Sequence, residues 1–320
     1  MGINMITTFT LNAAIDKCYR VDGLQFNKAN RVSNFTAVPG GKGINVAKVV
    51  HALGAEVVAS GFLGGTNGLF IDSGLKEMKI MSDFVWTQGN SRETISVIDS
   101  ETGTITEFLE KGPVLREGDV VNLTDKLFEL SKKSKVITFS GSIPEGVTPV
   151  VYADMIQVAK KLKALTILDT SGQSLLEGLK GTPDICKPNI DELEQLLGFR
   201  PVNKREIAKS VTPLIETGIR MVIVSIDKDG SIVVTKNGSW HVAPPVVKVV
   251  NTVGCGDSLV AGMAYFIDKY GFPESNEQVE RAVKLATAVS ASNAMNWAAG
   301  SIRVDEIDCL LEMVNIVRLE

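Results

Sequence analysis

Residues 251–262 read Asn251-Thr252-Val253-Gly254-Cys255-Gly256-Asp257-Ser258-Leu259-Val260-Ala261-Gly262, the pattern of a tight turn that feeds a helix. The apolar residues Val247 to Val250 before it indicate the end of a strand. Gly254 and Gly256 allow a sharp turn and let bare backbone N–H groups approach a ligand closely. N–H groups at a helix N-terminus favour an anion. The stretch therefore predicts an anion-binding turn.

Asp257 is the unusual member of this turn, because a carboxylate repels a bound phosphate. One interpretation makes it only the N-cap of the helix, a common use of aspartate. The other interpretation is phosphoryl transfer to a hydroxyl: the carboxylate accepts the hydroxyl proton while the amides stabilise charge on the moving phosphoryl group. Because two glycines clear space around the carboxylate, we favour phosphoryl transfer over a simple cap.

The composition of the 320-residue chain excludes several classes of protein. No apolar run reaches membrane-spanning length, and the first residues lack a basic segment followed by an apolar core, so we expect a cytoplasmic protein without a membrane partner. The net charge of −4, with no basic run, argues against nucleic acid as a partner. Four scattered cysteines fit a reducing compartment, and two isolated histidines argue against a His-based triad or a zinc site.

The order of strand-like and helix-like patterns indicates the fold class. From Glu117 onward the two patterns alternate, which predicts an α/β fold with a mainly parallel central sheet and helices on both faces. Ligands bind such sheets at the carboxyl ends of the strands. No helix separates the short strands of residues 83–110, which include Phe84-Val85-Trp86, so we expect them to form, with residues 13–37, a small β lid outside the main sheet. Since no linker interrupts the chain, residues 1–320 are predicted to form one domain.

Three further motifs are ambiguous when taken alone. Gly40-Gly41-Lys42-Gly43-Ile44-Asn45 matches neither the P-loop nor the dinucleotide pattern, and is by itself a glycine-rich helix start, although Lys42 and Asn45 could hold a polyhydroxy ligand. Asn189 and Glu192 have the spacing of a capping box, and equally could surround a hydrated Mg²⁺. Arg92, in the lid strands, could clamp a phosphate or simply be solvated.

Together these residues resemble the PfkB sugar kinases, which have the ribokinase-like fold. The turn within residues 251–262 matches the C-terminal signature of that family, and Gly40 to Asn45 matches its N-terminal signature. Thr10 to Asp16 and Asn30-Arg31-Val32 are typical of its ketohexose-phosphate branch. The resemblance covers nearly the whole chain and implies an ATP- and Mg²⁺-dependent kinase of a ketohexose phosphate.

The resemblance also implies roles for individual residues. The catalytic base would be Asp257, in an anion hole made by the amides of Gly254, Cys255, Gly256 and Asp257. The sugar hydroxyls would be held by Asp16, Gly41, Lys42 and Asn45, and the sugar phosphate by Arg92 with Arg31. The ATP site would include Lys187, Asn189, Ser225, Asp227, Gly230, Asn251, Ala288 and Asn293. The Mg²⁺ shell would be held, through water, by Asn189 and Glu192.

Departures from the family pattern bear on the substrate. Cys255 stands where Ala or Ser is usual, Ala13 replaces a usual Pro, and Asp227 stands where Gly is common. The strand after Arg92 reads Glu93-Thr94-Ile95-Ser96, where 1-phosphofructokinases usually have Ile-Asn-Val-Lys. Because Thr94 and Ser96 reach less far than Asn and Lys, we expect tagatose 6-phosphate to be preferred, followed by fructose 1-phosphate and then fructose 6-phosphate.

Two other classes of protein compete with a kinase. A catalytically silent sugar-phosphate-binding regulator could use the same fold, but the retained Asp257, glycines and Asn189/Glu192 pair argue against it. A nicotinamide dehydrogenase is disfavoured by the missing dinucleotide fingerprint.

The lid strands expose edges and are too few to be stable alone, so we expect them to pair with a second copy in a homodimer.

Overall fold

The computed structural model describes residues 5–319, in which strands and helices alternate. The first half comprises β1 (Met5–Thr10), β2 (Ala14–Val21), β3 (Asn34–Gly40), α1 (Lys42–Ala52), β4 (Val57–Gly64), α2 (Gly65–Glu77), β5 (Met81–Thr87), β6 (Arg92–Asp99), β7 (Ile105–Leu109), α3 (Glu117–Ser131) and β8 (Ser134–Ser140). The second half comprises α4 (Val151–Lys161), β9 (Leu165–Asp169), α5 (Gly172–Leu179), β10 (Ile185–Cys186), α6 (Ile190–Leu197), α7 (Lys204–Glu216), β11 (Met221–Ser225), β12 (Ser231–Thr235), β13 (Gly238–Ala243), α8 (Cys255–Tyr270), α9 (Asn276–Ala294), α10 (Ile307–Met313) and β14 (Asn315–Arg318).

Ten strands form the central sheet, in the order β14-β13-β12-β11-β10-β9-β8-β1-β4-β5. The seven strands from β11 to β5 pair in parallel, while β12, β13 and β14 extend one edge antiparallel. Parallel neighbours require crossover connections, which the helices provide. The predicted mainly parallel sheet is confirmed, and the polar ends of its strands meet at one edge.

Four strands form a smaller sheet, the lid, in the order β3-β2-β6-β7. The β2–β3 and β6–β7 pairs are antiparallel, and β2 pairs with β6 in parallel. The prediction that Phe84-Val85-Trp86 belongs to the lid was wrong, because β5 pairs in parallel with β4 in the central sheet. Helix α2 supplies the crossover between them, and Phe84 and Val85 are buried there. The lid strands therefore lie within residues 14–40 and 92–109.

The hydrophobic core lies on both faces of the central sheet, as two side chains on opposite faces of β1 illustrate. Ile6 joins a cluster with residues of α1, α8 and α9, and Phe9 joins a second cluster with residues of α3, α4 and α7. Each such fully buried side chain contributes about 1.5–3 kcal/mol relative to an exposed one. Helices therefore cover both faces, as predicted.

None of the helices found in residues 5–319 has both the length and the apolar character that a membrane crossing needs.

Candidate active site

The anion turn lies between an irregular segment and helix α8. Strand β13 ends at Ala243, so the prediction that Val247 to Val250 end a strand was wrong. Pro244 and Pro245 lack the N–H donors that would continue a ladder, and residues 244–250 remain irregular. Gly254 is the N-cap residue of α8 and has a φ of 84°, in the left-handed region that favours glycine. The Cys255 N–H donates to the Thr252 carbonyl at 3.2 Å, so the Gly256 and Asp257 N–H groups are the amides that this helix start leaves for an anion.

Asp257 lies in the first turn of α8 but does not cap the helix. The cap position belongs to Gly254, and the Asp257 carboxylate instead accepts a hydrogen bond from Asn45 Nδ2 at 2.9 Å. The capping interpretation is therefore wrong. Asp257 is only 6% exposed, and burial raises its pKa to about 6, although the ammonium of Lys42 acts in the opposite direction. A buried carboxylate that titrates near neutrality is suited to general base catalysis.

The predicted sugar-binding residues meet beside this carboxylate. Helix α1 begins at Lys42, directly after Gly41, and carries Asn45 on its first turn. Asp16 Oδ2 accepts the Gly41 N–H at 3.4 Å, while its Oδ1 accepts the Thr94 hydroxyl at 2.6 Å. A Cβ at Gly40 would lie 2.0 Å from the Asp16 carboxyl carbon, so only glycine fits there. Polar groups of lid strands β2 and β6 thus lie next to the start of α1.

The two arginines predicted to bind a phosphate are placed differently. Arg92 begins β6, opposite Ala14, and is half-buried. Its Nε donates to the Asn12 carbonyl at 3.1 Å and its Nη1 to the Glu110 carbonyl at 3.2 Å, which fixes the guanidinium while leaving further N–H donors for a ligand. Arg31 lies in the exposed segment between β2 and β3, and no contact within residues 5–319 ties it to this pocket.

Asp169 is a site residue that the sequence reasoning missed. It ends β9 and is fully buried, and its Oδ1 accepts a hydrogen bond from Lys42 Nζ at 3.1 Å and forms an ion pair with Lys187 Nζ at 3.2 Å. Burial alone would raise its pKa, but the two ammonium groups outweigh burial and hold the pKa below its usual range. Its Oδ2 is buried without a hydrogen-bond partner among the described residues. The sequence signal that could have identified Asp169 is an aspartate at the end of a buried strand, because such ends lie at the carboxyl edge of the sheet, where ligands bind.

Asn189 and Glu192 form the capping box of α6. Asn189 Oδ1 accepts the Glu192 N–H at 2.7 Å, and Glu192 Oε2 accepts the Asn189 N–H at 2.8 Å. Burial raises the pKa of Glu192, and the nearby charge of Asp169 acts in the same direction. The bare Asp169 Oδ2 offers a carboxylate oxygen to an ion that keeps its waters, as Mg²⁺ does, and residues 5–319 contain no group of three or more His, Cys, Asp or Glu side chains placed to bind a metal directly. The capping role and the metal role are therefore compatible.

The residues predicted to border a nucleotide lie around the ends of β10 and β11. Ser225 ends β11 and is joined to Asn189 by a parallel bridge, with the Ser225 N–H donating to Pro188 at 3.0 Å. Asp227 has a φ of 50°, the left-handed conformation that glycine adopts freely, so aspartate at this position costs about 1–2 kcal/mol. A Cβ at Gly230 would lie 2.0 Å from the Val242 carbonyl oxygen. The loop between β11 and β12 is thus tightly folded.

Asn251 and Asn293 hold the anion turn through their side-chain amides. Asn251 Nδ2 donates to the Trp297 carbonyl at 2.8 Å, and its Oδ1 accepts the Val253 N–H at 3.0 Å. Asn293 Nδ2 donates to the Val253 carbonyl at 2.9 Å, and its Oδ1 accepts the Gly300 N–H at 2.8 Å. Both amides are therefore committed to shaping the turn. Ala288 is fully buried in the core between α9 and its neighbours, where its side chain is enclosed by protein.

The assembled site contains a buried carboxylate, free helix amides and two lysines bound to a second carboxylate. Amides and ammonium groups stabilise the charge of a phosphoryl group in transfer, and the raised pKa suits Asp257 to take a proton from an attacking hydroxyl. The fold and the site together define an α/β phosphotransferase.

Comparison with known proteins places the chain in a family. The model of the pfkB family of carbohydrate kinases matches residues 10–298, and the chain belongs to that family. It is 36% identical over 318 residues to the tagatose-6-phosphate kinase of Staphylococcus epidermidis strain RP62A, an alignment that covers 98% of this chain and 100% of the relative. The described fold is therefore ribokinase-like.

Solved structures of two family members resemble this chain over nearly its whole length. Phosphofructokinase-2 from Escherichia coli in complex with potassium has a TM-score of 0.88 at 26% identity, and the match covers 96% of this chain and 98% of that one. A protein of Thermotoga maritima described as a possible 1-phosphofructokinase also has a TM-score of 0.88 at 26% identity, with 99% and 100% covered.

Proposed function

We propose that this chain is an ATP-dependent kinase that transfers the γ-phosphate to a hydroxyl of a ketohexose phosphate, with tagatose 6-phosphate as the preferred acceptor. The observation that carries the proposal is the buried Asp257 carboxylate, bonded to Asn45 and set in the first turn of α8. A carboxylate at a helix start that binds an anion repels that anion, and a role as proton acceptor explains its presence there.

The mechanism assigns one task to each part of the site. The acceptor hydroxyl lies against Asp257, which takes its proton as the phosphoryl group arrives. The amides of the anion turn and the ammonium groups of Lys42 and Lys187 stabilise the charge on the transferred group. Mg²⁺ bound with ATP supplies further charge neutralisation, and Asp169, Asn189 and Glu192 would hold it through water. Asp16 and Asn45 orient the sugar hydroxyls, and Arg92 binds the phosphate that the acceptor already carries.

The choice of tagatose 6-phosphate is supported by the lid strand beside Arg92. The Thr94 hydroxyl is already bonded to Asp16, and Ser96 is short, so neither side chain extends towards an acceptor phosphate as Asn and Lys would. The relative at 36% identity is itself described as a tagatose-6-phosphate kinase. Fructose 1-phosphate and fructose 6-phosphate remain the alternative acceptors, and the structural neighbours described as phosphofructokinases favour keeping them.

The experiment is ADP release by the purified full-length chain with ATP, Mg²⁺ and a panel of acceptors: tagatose 6-phosphate, fructose 1-phosphate, fructose 6-phosphate, and free tagatose and fructose. We expect the highest kcat/KM with tagatose 6-phosphate and poor turnover of the free sugars, which leave buried phosphate donors unpaired. A clear preference for fructose 1-phosphate would contradict only the tagatose assignment. Tight binding of a sugar phosphate without turnover would instead support the regulator.

The proposal includes a homodimer that forms through the lid, with residues 1–320 as one kinase domain working in the cytoplasm. Asp16 and Thr94 occupy one face of the lid sheet, and strand alternation places Tyr19, Phe35 and Phe108 on the other. Phe35 and Phe108 are 58% and 59% exposed, and they lie on the two edge strands. Exposed aromatic residues on sheet edges support pairing with a second copy.

A further inference from the structure

Lys48 is a buried charged residue to which no role has been assigned above. It lies on α1, three residues after Asn45 and hence on the same side of the helix, and is only 8% exposed. A buried ammonium group costs several kcal/mol unless nearby groups compensate it. We infer that Lys48 is a positioning residue for the acceptor half of the site: its ammonium group holds the end of lid strand β3 and supplies the counter-charge for Asp16.

The hydrogen bond of Lys48 places it at the point where the lid joins the main body. Its Nζ donates to the Pro39 carbonyl at 3.1 Å. Pro39 is followed by Gly40, which lies against the Asp16 carboxyl, and by Gly41, whose N–H donates to Asp16. Lys48 therefore fixes the short backbone segment on which the position of Asp16 depends.

The charges that face Lys48 come from two elements. Asp16 on β2 and, more weakly, Asp257 on α8 favour the charged ammonium, while burial is the largest effect and lowers the pKa of Lys48 to about 8. The pKa of Asp257 responds chiefly to burial and then to Lys42, Asp169, Asn45 and Lys187. The stronger link of Lys48 is thus to Asp16, and its loss should affect the acceptor more than the base.

The segment after α9 closes over the lysine. A Cβ at Gly300 would lie 2.6 Å from Lys48 Cε and 3.0 Å from Asn45 Cα, so the backbone itself covers the side chain. The Gly300 N–H is held by Asn293 Oδ1 at 2.8 Å. The backbone therefore shields the Lys48 ammonium group from water, while Asp16 is half-buried.

This inference rests on the proposed function, and steady-state kinetics of Lys48→Met tests it. We expect the KM for the sugar phosphate to rise about tenfold or more, as for a lost hydrogen bond to a charged group, with the KM for ATP unchanged. Lys135→Met is the matched control, because Lys135 also donates to a backbone carbonyl, that of Asp268, far from the site. A lysine that only stabilises the fold would lower the unfolding midpoint without separating the two KM values.

Lys48→Gln and the pH dependence keep the test decisive if the Met variant does not fold. Glutamine keeps an N–H donor but carries no charge, so we expect the acceptor KM to rise, by less than in Lys48→Met, which loses the hydrogen bond as well. In the unmutated protein the ammonium discharges as pH rises through about 8, so the acceptor KM should increase there while the ATP KM stays level. The Gln variant should lack that increase, because nothing at position 48 titrates.

An unchanged acceptor KM in the folded variants would overturn the inference. So would a wild-type acceptor KM that stays level from about pH 7 to about pH 9, a measurement that needs no variant. If the wild-type protein transfers no phosphoryl group to any ketohexose phosphate, the proposed function fails instead. The two failures are therefore distinguishable.

Discussion

The Asp257 side chain combines burial, a single amide partner and a pKa of about 6. Asp257→Asn keeps an oxygen that can accept from Asn45 but removes the base, so kcat should fall by about 10²–10⁴ with ATP binding retained. In the unmutated protein, kcat should decline as pH falls through about 6, because the protonated carboxyl cannot accept a proton. Pre-steady-state and pH-rate measurements check both results. Near-normal kcat in the variant would remove Asp257 from catalysis.

The same substitution has a predicted effect on stability. Because the folded-state pKa of Asp257 is raised, the stability from this group is complete below its ordinary pKa of 3.8 and is lost as pH rises through about 6. A rise from 3.8 to about 6 corresponds to about 3 kcal/mol. Asp257→Asn should therefore raise the free energy of unfolding at neutral pH and not near pH 3.8. Urea unfolding at the two pH values measures this, and equal differences at both would contradict it.

Arg92 is fixed by the Asn12 and Glu110 carbonyls before any ligand arrives. A pre-oriented guanidinium can make two bonds to one phosphate. Arg92→Ala should therefore raise the KM for the sugar phosphate far more than the KM for ATP. Arg31→Ala is the matched comparison, because Arg31 is exposed and has no contact with the pocket in the described chain. If both variants raise the acceptor KM equally, closure of the lid must bring Arg31 into the site.

At the scale of elements, Asn189 and Glu192 at the start of α6 cap the helix and are also proposed to hold Mg²⁺ through water. Glu192→Gln retains the acceptor oxygen of the capping box, so the helix should keep its stability, while the loss of charge should raise the Mg²⁺ concentration needed for half-maximal rate. The sugar KM should change little. Asn189→Ala, which removes the cap, is the control and should cost about 1 kcal/mol of stability. A change in stability alone for Glu192→Gln would leave only the capping role.

Local structures that depend on neighbouring residues were predicted well from the sequence. Structures that depend on contacts between distant residues were not. The glycines of residues 254–256 and the Asn189/Glu192 spacing determine local backbone geometry, so the turn and the capping box could be read from the sequence. Strand β5 could not, because its alternating pattern fits a lid strand and only its parallel pairing with β4 decides the matter. Asp169 was missed for a related reason: its partner Lys42 lies 127 residues away along the chain.

At the scale of the whole molecule, the exposed aromatic face of the lid predicts a dimer. Phe108→Glu places a charge on the lid face that also carries Tyr19 and Phe35, at the opposite edge strand from Phe35, and should produce monomers at micromolar concentration, which sedimentation would detect. Phe199→Glu is the control, since Phe199 is 50% exposed but lies between α6 and α7. A wild-type chain that sediments as a monomer would refute the dimer. The sequence indicated the lid strands, but not which face they leave uncovered, because that depends on their register.

The contact of Gly300 with Asn45 and Lys48 also has a consequence for synthesis. Gly300 is synthesised long after Asn45 and Lys48, and during synthesis the earlier part of a chain folds first. A growing chain that has not yet released residue 300 from the ribosome can build most of the sheet, but not the enclosed polar pocket. Contacts between such distant residues also form slowly. Activity therefore requires synthesis to have passed residue 300, and chains that terminate before that residue should consume no ATP.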